Sequence, residues 1–103
     1  MIEFDFKTIK RNHSDKEIIY ISTQDFLPEF GVKFSFDNWT FNLINIFDLK
    51  DDLDYLIIIE EENNENDPSK RVIYISKDIA IRVCKLCESE KRNQIISHLE
   101  GLL

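Results

Sequence analysis

The sequence predicts an α+β fold in one domain: a mainly antiparallel, twisted sheet of about five or six strands, with one or two C-terminal helices packed on one face. Three observations predict it. Short β-rich runs separated by polar turns recur from residue 3 to residue 76. Apolar residues in the last third recur at spacings of three and four. The chain has 103 residues, 43% hydrophobic and 32% charged, with two glycines and two prolines. That suits one folded core spanning residues 1–103, with no flexible linker.

The elements follow in order. Residues 3–9 alternate, with Phe4, Phe6 and Ile9 as apolar positions. The polar stretch 10–15 reads as a turn, and Glu17 to Ser22 (EIIYIS) as the returning strand of a hairpin. Thr23 to Gly31 contains Pro28 and reads as a loop. It carries Phe26, Leu27 and Phe30, so it is expected to fold back on the core. Val32 to Phe36 and Trp39 to Phe47 read as two strands around a tight Asp37-Asn38 turn. Trp39, Phe41, Leu43 and Phe47 then share one face of the second strand.

Asp48 to Asp54 (DLKDDLD) is an acidic connection. Tyr55 to Glu61 (YLIIIEE) is apolar on both faces, which predicts a central strand. A polar loop, Glu62 to Lys70, leads to its partner strand, Arg71 to Ser76. In the last third, Ile79, Val83, Leu86 and Cys87 lie on one helical face, and Ile95, Ile96, Leu99, Leu102 and Leu103 on another. At about 100° per residue the two stripes oppose each other, so the spacing predicts two helices broken near residues 88–92. The alternation of Ile79, Ile81 and Val83 leaves a strand over 77–88 open as the competing reading.

No motif in the chain carries recognisable catalysis. Cys84-Lys85-Leu86-Cys87 has a C-x-x-C spacing, but late in a predicted helix, where the dipole disfavours a thiolate. A zinc site would need two further ligands at suitable spacing, and His13 and His98 are not so spaced. The pair reads as two ordinary thiols. The aspartates 48, 51, 52 and 54 lack the mid-loop glycine and terminal glutamate of a calcium loop, and the acids of 60–67 fail the same test. His13 and His98 belong to no acid–base motif, and no glycine-rich phosphate cradle exists. Seven of the twelve aromatics fall within residues 26–47, which reads as core because the flanks are acidic rather than basic. The expectation is a protein that is not an enzyme and has no catalytic residue, metal or cofactor.

Charge carries the functional expectation. The net charge is −7, but residues 37–67 hold ten acids and one base, Lys50, for −9. Residues 1–36 carry −1 and residues 68–103 carry +3. Such a segment repels nucleic acid and anionic membranes and attracts a cationic partner. A solubility face intersperses both signs; this one barely does. The candidate partner-binding residues are therefore Asp48, Asp51, Asp52, Asp54, Glu60, Glu61, Glu62, Glu65 and Asp67. No apolar run approaches the ~18–20 residues of a membrane span. The first residues lack the apolar centre of a signal peptide, and two cysteines suit a reducing compartment, so the expected location is cytoplasmic.

In size, acidity, Asn/Ile/Lys-rich composition and lack of a catalytic motif, the chain resembles the immunity proteins of bacterial polymorphic-toxin and contact-dependent growth inhibition systems. The resemblance is one of overall character, so no residue role is carried over. It implies an antitoxin that binds and neutralises a cognate basic toxin, a nuclease being the obvious cationic class. The alternative is a nucleic-acid mimic that blocks a DNA- or RNA-binding protein. Two further readings stay open: a small enzyme, if a polar pocket forms near His13 or His98, and a subunit that assembles through an exposed sheet edge.

Overall fold

The computed structural model describes residues 4–32, 36–60, 70–86 and 90–102. Its element order is β1 (Thr8–His13), β2 (Lys16–Ser22), α1 (Thr23–Phe26), a 3-10 turn (Leu27–Phe30), α2 (Phe36–Phe47), β3 (Tyr55–Glu60), β4 (Lys70–Ser76), α3 (Lys77–Leu86) and α4 (Arg92–Glu100). The fold is α+β. Among the described residues it has one sheet of four strands in the order β1-β2-β4-β3, every neighbouring pair antiparallel.

The first hairpin is tighter than expected. Only Ser14 and Asp15 form the turn, both at positive φ (48° and 69°), as a two-residue type I′ connection requires. The strand therefore runs Thr8–His13, not 3–9. Phe4 and Phe6 precede it and pack into an aromatic cluster with Phe26 and His98. The segment after β2 does fold back on the core, as α1 and the 3-10 turn, and Phe26 and Leu27 are fully buried. Because β2 turns into α1 at Thr23, β4 loses its backbone partner beyond three residue pairs. The Thr23 hydroxyl takes over, donating to the Ile73 carbonyl at 2.7 Å.

Of the two strands expected over 32–47, the second, Trp39–Phe47, is not formed; residues 33–35 of the first lie outside the described residues. Residues 36–47 are the single helix α2. Alternation of Trp39, Phe41 and Leu43 suggested period two, but Phe36, Thr40, Leu43, Ile44 and Phe47 also recur at helical spacing. Thr40 and Leu43 are the residues that become buried. Thr40 is satisfied by donating back to the Phe36 carbonyl at 2.8 Å. Tertiary packing thus overrides the strand propensity of aromatic and β-branched residues. The strands among the described residues number four.

The hairpin of β3 and β4 forms as expected, but β3 is an edge strand, not a central one; β2 and β4 are central. A run apolar on both faces suggested double burial. Leu56 is indeed buried on one face, whereas Ile57 and Ile59 on the other are 41% and 66% exposed. The C-terminal third is two helices, so the strand alternative is not realised. Ser76 accepts from the Ile79 N–H at 3.3 Å and starts α3 directly from β4. The buried stripe of α3 is Ile79, Ala80, Val83 and Cys84; Leu86, expected on it, is 66% exposed, and Cys87 lies outside the described residues.

All four helices contribute to one core with Ile21 and Ile75 of the sheet. The opposite face has its own small cluster of Tyr20, Leu56, Val72 and Tyr74, flanked by Ile9, Ile18 and Ile58, all from strands. No described helix is long and apolar enough to cross a membrane.

Candidate partner-binding surface

The acidic segment 48–54 is a built turn. The helix α2 ends as Asp48 enters the left-handed region (φ 51°), and the Leu49 N–H bonds the Ile44 carbonyl at 3.0 Å. This is a Schellman stop with aspartate where glycine usually sits. Leu49 is buried and anchors the turn in the core. The Lys50 carbonyl then accepts from the Leu53 and Asp54 amides (3.2 and 2.8 Å), while the Lys50 amide donates to Asp54 Oδ2 at 2.9 Å. Asp52 also takes a positive φ (62°), and its N–H reaches the Tyr55 carbonyl at 3.0 Å.

Tyr20 ties this turn to the sheet. Its ring is fully buried, and its hydroxyl donates to the Leu53 carbonyl at 2.8 Å. The same hydroxyl lies 3.3 Å from the Asp52 carbonyl and 2.9 Å from His13 Nε2. Burial pushes the Tyr20 phenol above its ordinary range; Asp54 and Asp52 add to the rise, and Arg11 opposes it.

Four of the nine expected binding residues, Asp48, Asp51, Asp52 and Asp54, therefore lie together on one turn. Asp48 pairs with Lys50 at 3.2 Å. Asp54 is half-buried and spends one oxygen on the turn itself. Asp51 and Asp52 are exposed and make no ion pair among the described residues. Glu60 closes β3, and its side chain, like Glu61, Glu62, Glu65 and Asp67, lies outside the described residues. The two acidic segments leave β3 at opposite ends. Six residues of strand span roughly 17 Å, about twice the ~8 Å Debye length at physiological ionic strength.

The basic C-terminal third engages the acidic middle at one described point. Arg71 holds Asp37 at 2.9 Å and lies over the Phe41 ring at 5.6 Å. Lys91 pairs instead with Glu29, outside the acidic middle. The 48–54 turn thus keeps its charge, with Lys50 as the only described cation paired to it.

Two features that the sequence left open without placing them, a polar pocket near a histidine and an exposed sheet edge, have counterparts here. One is an open concavity of about 530 Å³ lined by Arg11, Asn12, His13, Asp52, Leu56, Ile57 and Ile58. It puts a histidine, a guanidinium and a carboxylate beside apolar side chains, a setting in which a small polar ligand could sit. The other is the open edge of β3, where the absence of lysine from residues 51–69 was the available signal. Among the described residues no three of His, Cys, Asp or Glu lie close enough to share a metal ion. Compared with known proteins, the chain significantly matches no family model, no curated protein and no solved structure.

Proposed function

We propose that this protein acts by binding, as an immunity protein does: it holds and neutralises a cationic protein toxin, a nuclease being the class whose positive substrate groove fits best. The observation that supports this reading is the 48–54 turn. Its carboxylates are carried on a backbone locked by its own hydrogen bonds, by Leu49 and by Tyr20, so little ordering entropy is lost when a partner binds. A compact acidic turn suits a basic groove better than it suits mimicry of a duplex, where carboxylates would be spaced along a line. The segment 60–67 is proposed as a second acidic contact at the far end of β3.

The direct test uses the C-terminal domain of the protein encoded immediately upstream, purified and titrated against this chain. Binding should weaken steeply with salt. Asp51→Lys with Asp52→Lys should slow association at least about tenfold at low salt while the fold melts as before. An association rate unchanged by the double reversal contradicts the proposal.

One observation favours a second reading. The concavity beside His13 suits a small molecule, and its test is amide and imidazole shifts at His13 and Tyr20 on screening small polar metabolites. Saturable shifts there, abolished by Arg11→Ala, would move the function to that site.

A further inference from the structure

We infer that the outer edge of β3 is the docking site for an extended strand of the cationic partner, which adds to the sheet with its basic end against Asp51 and Asp52. This rests on the binding role proposed above and specifies its mode.

The backbone directions come first. The Ser76 N–H donates to the Asp54 carbonyl at 2.9 Å, so Asp54 faces β4. In an antiparallel pair, successive residues turn their N–H and C=O to alternate sides. Leu56, Ile58 and Glu60 therefore bond to β4, and Tyr55, Ile57 and Ile59 turn outward. The Asp52 N–H meeting the Tyr55 carbonyl agrees, because it comes from the outer side. Asp51 also forms a parallel bridge to Tyr55. The acidic turn thus already occupies the first position of the outer lane. Beyond it, no described strand covers the N–H and C=O groups of Ile57 and Ile59.

Side chains and charge then select the occupant. Ile57 and Ile59 are exposed on the helix-bearing side, opposite Ile73 and Arg71 of β4. A strand laid along them would cover apolar surface on that side and continue the lane that Asp51 and Asp52 begin. Its near end would meet two exposed carboxylates, so lysine or arginine fits there. A second copy fits poorly, because each β3 is flanked by acids: residues 48–67 hold nine acids and one base, so two copies repel. Within Tyr55–Glu60 the edge carries none of the lysine, proline or bulge by which natural edges block pairing.

The test follows backbone amides by NMR and uses blocked synthetic peptides as probes: one alternating lysine with valine, the other alternating threonine with valine. With the lysine peptide, the Ile57 and Ile59 amides should shift and become protected from exchange. Ile57→Lys with Ile59→Lys should weaken it at least about tenfold, with the melting temperature unchanged. Asp51→Lys with Asp52→Lys should weaken the lysine peptide but not the threonine one. If the lysine peptide binds without moving those amides, while the aspartate reversal still weakens it, the edge assignment is overturned and the acidic surface survives. Equal binding of both peptides, indifferent to the aspartate reversal, overturns the cationic partner and leaves only the edge. Concentration-dependent dimerisation abolished by Ile59→Lys assigns the edge to a second copy and overturns the inference. So does the absence of any shift at Ile57 and Ile59 with both peptides.

Discussion

The two edges of this sheet are built to opposite rules. Both β1 and β3 pair on one side only. On β1, the Ser22 amide bonds the Lys7 carbonyl, so Thr8, Lys10 and Asn12 are the residues whose backbone turns outward. All three have exposed side chains, and the middle one is a lysine, a standard guard against strand addition. On β3 the outward residues beyond Tyr55 are isoleucines, with Arg71 across from Ile59 and the exposed carboxylates of Asp51 and Asp52 at the near end. One edge refuses neighbours in general. The other accepts them on condition of charge. Reading which backbone groups face outward, and which side chains accompany them, says more about an edge than its overall polarity does.

The largest expected effect comes from removing what holds the β3 end in place. Leu49→Ala takes a buried anchor from the acidic turn and should cost about 2–4 kcal/mol in chemical denaturation. Amides of residues 50–55 should lose protection before those of the β1–β2 hairpin. Equal loss at both edges would mean the turn is not a separate support.

Tyr20→Phe comes next. It removes a hydroxyl that donates to the Leu53 carbonyl and contacts His13 Nε2, at a cost of about 1–3 kcal/mol. It should also alter the pH dependence. The folded phenol is raised above the tyrosine value of 10.0, so the unfolded chain ionises first as pH rises. Stability from this group is complete below that value and is lost as pH climbs through the folded pKa. The variant should lack this alkaline loss; an identical alkaline slope in both proteins would show that Tyr20 does not report on the turn.

How legible this was in the sequence differs from element to element. The α+β class, the β3–β4 hairpin and the broken C-terminal helix were all readable. Each rests on a long apolar period or on a polar loop between β-rich runs. Residues 36–47 misled because Trp39, Phe41 and Leu43 alternate while Phe36, Thr40, Leu43 and Phe47 keep a helical spacing, and only burial of Thr40 and Leu43 decides between them. β3 was read as central because apolarity on both faces cannot distinguish double burial from one buried and one exposed face. Among the candidate residues, clustering within 48–54 was legible from spacing. The Schellman stop was not, because aspartate replaces the glycine that would have marked it. The Tyr20 anchor was hidden for a different reason: it joins residues 33 positions apart.

That stop supplies the smallest prediction. Asp48→Gly should stabilise the fold by up to about 0.5–1 kcal/mol, since glycine carries no penalty at positive φ. It also removes one carboxylate, so affinity for a cationic strand should drop slightly while stability rises. A fall in stability would mean that the Asp48–Lys50 pair contributes more than the backbone strain costs.

Amide exchange compared across the two edges bears most directly on the central claim. In the protein alone, the outward amides of Ile57 and Ile59 and those of Thr8, Lys10 and Asn12 should all exchange rapidly. Adding the lysine–valine peptide should slow the first pair and leave the other three unchanged. Protection spread equally over both edges, or appearing at β1 alone, would contradict the account.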